Sequence, residues 1–100
     1  MFIHHVYFWL KDKDNSADYA QLLRGIKSLD AIEPKILSHI GVPAATDRAV
    51  IDTSYSFSLL LTFNNLEDQE SYQVHPIHLK FVDENAHLWS KVIVYDSVDA

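Results

Sequence analysis

Apolar residues recur along this chain with two different periods, and the change from one period to the other predicts the order of its secondary structure. Residues 2–10 (FIHHVYFWL) are rich in β-branched and aromatic side chains, which predicts a first strand. Residues 55–63 (YSFSLLLTF) alternate, with the odd-numbered apolar positions on one face, and predict a central strand. Residues 35–42 (KILSHIGV) and 91–95 (KVIVY) predict two further strands.

Two stretches between these strands have the apolar spacing of amphipathic helices. The first begins near Asn15 or Ser16, either of which can cap a helix, and its apolar stripe is Tyr19, Leu22, Leu23, Ile26 and Leu29. It should end before Pro34, because the residue that precedes a proline disfavours the α conformation. The second helical region begins near Asn65, is interrupted at Pro76 and continues to about Trp89, whereas residues 41–53 predict a loop.

The predicted order is β-α-β-β-α-β, with the second helical region split at Pro76. This is the order of the ferredoxin-like split βαβ fold of the α+β class, a four-stranded antiparallel sheet with helices on one face. A length of 100 residues predicts one domain over residues 1–100.

The first predicted strand is apolar on both faces, although the helices can cover only one face of the sheet. A bare apolar face of four strands would measure several hundred Å², on the order of the largest patches that soluble monomers expose. We therefore expect the open sheet face to pack against a second copy in a two-fold homodimer, as in a dimeric α+β barrel.

Composition excludes several classes of function. The chain has no cysteine, which excludes disulfides, thiolate nucleophiles and cysteine-based metal sites. Fourteen acidic residues against eight Lys and Arg argue against a nucleic-acid partner. No segment approaches the roughly 18 consecutive apolar residues of a membrane span, and residues 1–10 lack the features of a signal peptide. We expect a cytoplasmic protein with no membrane partner.

The segment with the most candidate chemistry is residues 71–81 (SYQVHPIHLKF), where Tyr72, His75 and His78 surround Pro76. On a helix that begins at Pro76, His78 lies in the first turn, where the helix dipole favours the neutral imidazole. A neutral histidine can remove a proton while a tyrosine hydroxyl donates to a developing oxyanion. The alternative interpretation is structural: Tyr72 packs under the sheet, and His75 satisfies backbone groups at the Pro76 kink.

We expect His5 to join Tyr72 and His78. The strongly apolar odd face of residues 55–63 should be covered by helices, and if the odd face of the first strand also looks that way, His5 stands under the Pro76 kink. His4 would then point to the dimer interface. On this placement, a pocket for a small hydrophobic ligand is lined by a set of apolar and aromatic side chains: Ile3, Tyr7, Trp9, Phe57 and Phe81.

A metal site is the weaker interpretation of the same histidines. His75 and His78 are three positions apart, but Pro76 breaks the helix between them, and no carboxylate or cysteine completes a ligand pattern. Phosphate-binding loops, nucleophile elbows and zinc-protease motifs are also missing from the sequence. We expect neither a metal nor a cofactor.

Three segments of the chain, MFIHHVYFWLK, YSFSLLLTF and above all YQVHPIHLKF, resemble the stress-responsive A/B barrel domain, called Dabb. The most specific element is Tyr-x-x-His-Pro-x-His, here Tyr72, His75, Pro76 and His78. The resemblance extends over the whole chain and implies a ferredoxin-like fold and a dimeric α+β barrel. Most members have no assigned activity and some are linked to stress responses. A few related plant proteins are polyketide cyclases, which implies an aldol closure by Tyr72 and His78 with His5 in the pocket wall.

Three functions remain open at this point. The chain could be a small-molecule-binding protein, or a cyclase or other lyase-type enzyme with a Tyr/His acid–base pair. It could be a non-catalytic, stress-associated dimer whose histidines are structural. It could also be a distant relative of the haem-degrading or monooxygenase branch of dimeric α+β barrels, although no axial histidine stands out. A cavity at Tyr72 and His78 favours the first function, whereas filling of that space by Trp9, Tyr19 and Phe57 argues against an enzyme.

Overall fold

A computed structural model describes all 100 residues, in four strands and three α-helices. The strands are β1 (Phe2–Leu10), β2 (Leu37–Gly41), β3 (Phe57–Phe63) and β4 (Trp89–Val98). The helices are α1 (Ser16–Ser28), α2 (Leu66–Gln73) and α3 (Pro76–Asn85), and single 3₁₀ turns follow α1 and α3 at Leu29–Ala31 and Ala86–Leu88. The predicted element order is therefore confirmed.

The four strands form one antiparallel sheet in the order β2-β3-β1-β4. This is the ferredoxin-like arrangement of the α+β class, as the sequence predicts. β1 lies in the interior of the sheet and pairs with β3 on one side and with β4 on the other. Both neighbours contact β1 along nearly its whole length, so β1 fixes the register of the sheet.

Side-chain caps set the helix starts that the sequence predicts. Asn15 Oδ1 accepts hydrogen bonds from the backbone N–H groups of Ala17 and Asp18, and Asn65 Oδ1 accepts one from Asp68. α1 ends at Ser28, ahead of Pro34 as expected, because the chain tightens into a 3₁₀ turn. The longest helix, α1, has 13 residues, and no helix of the structure could span a membrane.

The helices cover the opposite face of β1 from the one we expected. Val6 pairs with Leu59, and Phe8 pairs with Phe57, and residues directly opposite each other in neighbouring strands point to the same side. The odd-numbered residues of β3 do face the helices, so the even-numbered residues of β1 face them too: Phe2, His4, Val6, Phe8 and Leu10 are all buried. The predicted orientation of β1 is wrong, and with it the placement of His5 under Pro76.

No helix covers the other side of the sheet, which we call the open face. Its side chains alternate along every strand with those that face the helices, and they include Ile3, His5, Tyr7, Trp9, Leu37, His39, Ser58, Leu60, Ile93 and Tyr95. The segment 42–56 has no helix or strand, so the predicted loop extends beyond residue 53, and β3 begins at Phe57 rather than at Tyr55. This segment is tied to the end of β1. The Ser56 N–H donates to the Phe8 carbonyl, and the Trp9 indole donates to Ser54 Oγ.

β4 is longer than the sequence predicts at both ends. Trp89, assigned to a helix by its spacing from Phe81, opens the strand, and its ring packs against Phe8 and Phe81 at 5.3 and 5.7 Å between centroids. At the other end the pairing with β1 continues to Val98. The extension brings Asp96 into the sheet, directly opposite His4.

Candidate functional site

The junction between α2 and α3 is built by the His75–Pro76 pair. His75 is the N-cap of α3, and its Nδ1 accepts a hydrogen bond of 3.1 Å from the Ile77 N–H. Pro76 occupies the first helical position, where its missing N–H leaves no donor unsatisfied. This local geometry places Tyr72 in the last turn of α2 and His78 in the first turn of α3.

A cavity of about 190 Å³ lies between the sheet and the helices at this junction. Three polar rings line it: His4 from β1, Tyr72 from α2 and His78 from α3. The rest of the wall is mainly apolar and includes Val6, Leu29, Leu59, Phe81, Trp89 and Val94. The structure thus brings together Tyr72 and His78, with His4 rather than His5 as the third ring.

Tyr72 is the ring that the other two contact. Its centroid lies 4.9 Å from that of His78 and 5.8 Å from that of His4, edge to face in both pairs. Tyr72 is only 2% exposed, and this burial raises the pKa of its phenol well above the ordinary value. The hydroxyl therefore stays protonated at neutral pH and can only lose its proton at high cost, so it is suited to donating a hydrogen bond.

The pKa of His78 is shifted in the opposite direction from that of Tyr72. Burial lowers the pKa of its imidazole, the nearby His4 lowers it further, and a hydrogen bond with the Gln73 backbone partly opposes both. Its Nδ1 is buried and has no hydrogen-bond partner within the chain. Buried polar atoms are nearly always paired in folded proteins, and leaving one unpaired costs about 1–3 kcal/mol. His78 is thus a neutral imidazole with one nitrogen free to bind a partner.

His4 is held by a carboxylate. Its Nδ1 lies 2.6 Å from Asp96 Oδ1, and since a carboxylate only accepts, Nδ1 carries the proton that it donates. Nε2 is then left as the acceptor of the neutral ring. The predicted site did not include Asp96. The signal was present, because Asp96 stands at an even position between Val94 and Val98, on the apolar side of β4.

The remaining candidate residues lie elsewhere. His5 is on the open face, stacked on Tyr7 at 4.4 Å between ring centroids. Ile3 and Trp9 share that face, so neither they nor Tyr7 line the cavity. Phe57 is fully buried in the core, where its ring packs against Tyr19 at 4.6 Å. Of the predicted pocket-lining residues only Phe81 borders the cavity, and Trp9, Tyr19 and Phe57 do not fill it.

Three larger recesses lie away from these rings, and one of them, of about 310 Å³, borders Tyr19 and Val42. The other two differ from each other in character. One, of about 310 Å³, is a shallow aromatic recess on the open face, lined by Tyr7, Trp9, Asp52, Tyr55, Ile93 and Tyr95. The other, of about 510 Å³, is a mainly polar cleft between α1 and α3, with Arg24, Lys80 and Glu84 on its walls. No three His, Asp or Glu side chains of the structure group closely enough to hold a metal ion.

Comparison with protein families identifies the domain. A family model described as the stress responsive A/B barrel domain, Dabb, matches residues 2–99. This chain belongs to the Dabb family. The match confirms the resemblance to the Dabb family that the sequence motif around Tyr72 and His78 indicated, and it covers nearly the whole chain. A search of curated proteins finds no match to it.

Solved structures share the fold of this Dabb domain over nearly its full length. A Dabb family protein with a ferredoxin-like fold from Mesorhizobium loti is 25% identical, with a TM-score of 0.81 over 99% of this chain and 96% of that one. A dimeric ferredoxin-like protein of unknown function from Thermobifida fusca is 17% identical, with a TM-score of 0.77 over 98% and 90%. A hydroxynitrile lyase from Passiflora edulis is 21% identical, with a TM-score of 0.76 over 99% and 93%.

Proposed function

We propose that this chain works as a homodimer in which each protomer binds one small, largely apolar molecule in the cavity between sheet and helices. The observation that carries the proposal is the free Nδ1 of His78, a buried ring nitrogen without a partner in a residue that lines a cavity. A bound molecule with a hydrogen-bond donor would satisfy this nitrogen.

The shape and chemistry of the cavity define the class of ligand. About 190 Å³ is less than the roughly 300 Å³ at which common ligand sites begin, so the ligand is small. The apolar wall favours a compact ring or a short alkyl group. Tyr72 offers a donor and His78 an acceptor, which together suit a hydroxyl or a carbonyl that can enolise.

A second candidate function is a cyclase or other lyase-type enzyme that uses the same residues. Neutral His78 can take a proton from a C–H or O–H acid, and the Tyr72 hydroxyl can donate to the oxyanion that develops. His4, oriented by Asp96, is a further proton acceptor on the wall. The similar structure of a hydroxynitrile lyase supports a lyase-type function within this fold.

The open face of the sheet supports the proposed homodimer. Its central side chains, among them Leu60, Ile93 and the ring of Tyr7, are apolar or aromatic. No helix covers them, and the segment 42–56 contributes only the Tyr55 ring, which packs on Tyr7 at 4.9 Å between centroids. A second copy packed sheet to sheet would remove this surface from water. The similar structure from Thermobifida fusca is described as dimeric, which supports the same arrangement here.

A ligand screen tests the proposal. Small phenols, ketones and aldehydes are added to the protein at millimolar concentration, and its unfolding temperature is recorded together with ligand NMR spectra. A ligand of the cavity raises the unfolding temperature of the wild type and fails to do so in Tyr72→Phe. Consumption of the ligand over hours, abolished in His78→Gln, establishes an enzyme. Binding that is equal in the wild type and both variants contradicts the proposed site.

A further inference from the structure

Two histidines lie in one row across the open face. His39 of β2 and His5 of β1 both pair with Leu60 of β3, one on each side of it, and Tyr95 of β4 continues the row beyond His5. Residues paired in this way point to the same side of the sheet. The two imidazoles therefore share the open face and stand two strand spacings apart, about 10 Å.

The immediate surroundings hold both rings on this face. The Tyr7 hydroxyl lies 3.3 Å from His5 Nδ1, and the two rings stack. Gly41 has no side chain and leaves room for the His39 ring, whose Cε1 lies 3.1 Å from the place where a Cβ of residue 41 would sit. Neither ring can turn to the helix side, since that side of β1 and β3 is filled by the core.

No carboxylate faces His5 from any strand of the sheet. The groups around it are Tyr7, Tyr95, Leu60 and His39, and only His39 can carry a positive charge, of the same sign. The acids nearest the open face are engaged at its ends. Asp52 accepts hydrogen bonds from Ser54, beside Trp9 and Lys91, and Asp99 pairs with the amino group of Met1.

His4, the neighbour of His5 in sequence, has the opposite electrostatic setting. A proton on His4 would be compensated by the Asp96 carboxylate 2.6 Å away on the helix side. A proton on His5 has no such partner. Partial burial, His39 and His4 together already lower the pKa of His5 in the single protomer. Covering the open face would strip more water from this ring and lower its pKa further.

We propose that the open face is an acid-sensitive interface with a second copy of this chain, which assembles while His5 and His39 are neutral and separates when they become protonated. The inference rests on the homodimer proposed above and adds its regulation. The occupant is a second copy because the centre of the face is apolar and aromatic, with Lys91 and Asp52 beside Trp9 at one end, and a two-fold partner brings the same surface.

The direction of the pH effect follows from the proton count. A histidine with a depressed pKa in the dimer holds fewer protons there than in the separate protomers. Dimer affinity is therefore constant above the pKa of His5 in the separate protomer, which already lies below the ordinary value of about 6.5, and falls as the pH drops below that pKa. The two copies of His5 alone bind up to two protons on dissociation. The dissociation constant then rises by up to about a hundredfold per pH unit, and a positive charge on His39 in the same row would oppose assembly as well.

The test is sedimentation equilibrium of the full chain at pH 8.0, 7.0, 6.5, 6.0 and 5.5, with circular dichroism at each pH to follow the fold. The wild type is compared with His5→Gln, His39→Gln and the double variant, whose side chains cannot take up a proton. His87→Gln is the matched control, because His87 is exposed in the 3₁₀ turn after α3. The single variant His39→Gln is informative by itself, because His39 is exposed in the protomer and its replacement should not affect the fold.

We expect the wild type and His87→Gln to be dimers at pH 8.0 and folded monomers at pH 5.5, and the double variant to remain a dimer throughout. His39→Gln should need a lower pH than the wild type to separate. A wild-type dissociation constant that stays level from pH 8.0 to 5.5 overturns the switch and leaves the dimer standing. So does a double variant that separates like the wild type. A monomeric wild type at pH 8.0 overturns the dimer itself, and the switch with it.

Discussion

Tyr72 and His78 meet edge to face at the α2–α3 junction, and burial moves their pKa values in opposite directions. Burial disfavours the charged form of each group, so the phenol keeps its proton and the imidazole stays without its second one. The pair thus offers one hydrogen-bond donor and one acceptor over the neutral pH range. Both the donor and the acceptor are uncharged groups, and uncharged groups are compatible with the apolar wall of the cavity.

Removal of the Tyr72 hydroxyl should abolish ligand binding without loss of the fold. In Tyr72→Phe the ring still fills its site under the sheet, so the free energy of unfolding should change by about 1 kcal/mol or less. The rise in unfolding temperature on adding a ligand of the cavity should disappear. Tyr19→Phe is the matched control, because the Tyr19 ring packs on Phe57 away from the cavity. Equal loss of ligand response in both variants would contradict a specific role for Tyr72.

The pH dependence of binding should report on His78. Since the pKa of His78 lies below the ordinary value of about 6.5, the imidazole is neutral at neutral pH, and the affinity for a ligand that donates to Nδ1 should change little between pH 8 and 7. Below the pKa of His78 the affinity should fall by about tenfold per pH unit. NMR titration in the His5→Gln/His39→Gln variant measures this without a change of assembly. An affinity that already falls between pH 8 and 7 would show that His78 is not the acceptor.

Local sequence was enough to find Tyr72 and His78 but not their third partner. The two lie within one short motif, and the helix break at Pro76 fixes their relation from chain-local geometry. His4 and His5 are adjacent on a strand whose two faces are both apolar, so composition does not say which points inward. That choice depends on the register between β1 and β3, and a slip of one residue exchanges the faces. Asp96 could not be predicted as a partner of His4 for two reasons. Its position opposite His4 depends on strand register, and the apolar pattern placed the end of β4 at residue 95, before Asp96.

At the scale of the elements, α3 begins where His75 caps it. The imidazole Nδ1 satisfies the Ile77 N–H, and Pro76 removes another free donor. The apolar spacing predicted this helix. Pro76 predicted where it starts, because the effect of a proline on a helix is confined to a few neighbouring residues. The spacing did not predict where the helix ends, since Trp89 has helical spacing from Phe81 yet joins β4. The long-range pairing of β4 with β1 outweighs that spacing.

Loss of the cap should weaken the fold by a measurable amount. His75→Ala leaves the Ile77 N–H without its side-chain partner, and we expect the free energy of unfolding to fall by about 1 kcal/mol. Urea denaturation of wild type and variant measures the difference. The exposed His87→Ala should stay within about 0.5 kcal/mol of the wild type. If the two substitutions have the same effect, His75 does not stabilise the start of α3.

At the scale of the molecule, the sheet has one face packed under helices and one face with none. The ferredoxin-like order could be predicted because each element is marked in the local sequence, and the uncovered face followed from counting layers. A charge at the centre of that face should prevent assembly. Leu60 lies between His39 and His5, and Leu60→Glu should give a monomer at micromolar concentration by light scattering, because burying an unpaired carboxylate costs several kcal/mol.

The control for this experiment is Leu79→Glu, which adds the same charge at an exposed position of α3. This variant should have the same mass in solution as the wild type. Circular dichroism should show that both variants are folded. A dimeric Leu60→Glu would place the contact between copies somewhere other than the open face.

The adjacent histidines of β1 also have a genetic consequence. Because residues 4 and 5 are both histidine, deletion of either codon gives the same protein sequence. Residues from Val6 onward would keep their pairing with β3 and β4, and the remaining histidine would stand next to Val6, on the open face. Ile3 would move into the place of His4 opposite Asp96. Loss of one codon would thus remove the imidazole that lines the cavity and keep the imidazole on the open face.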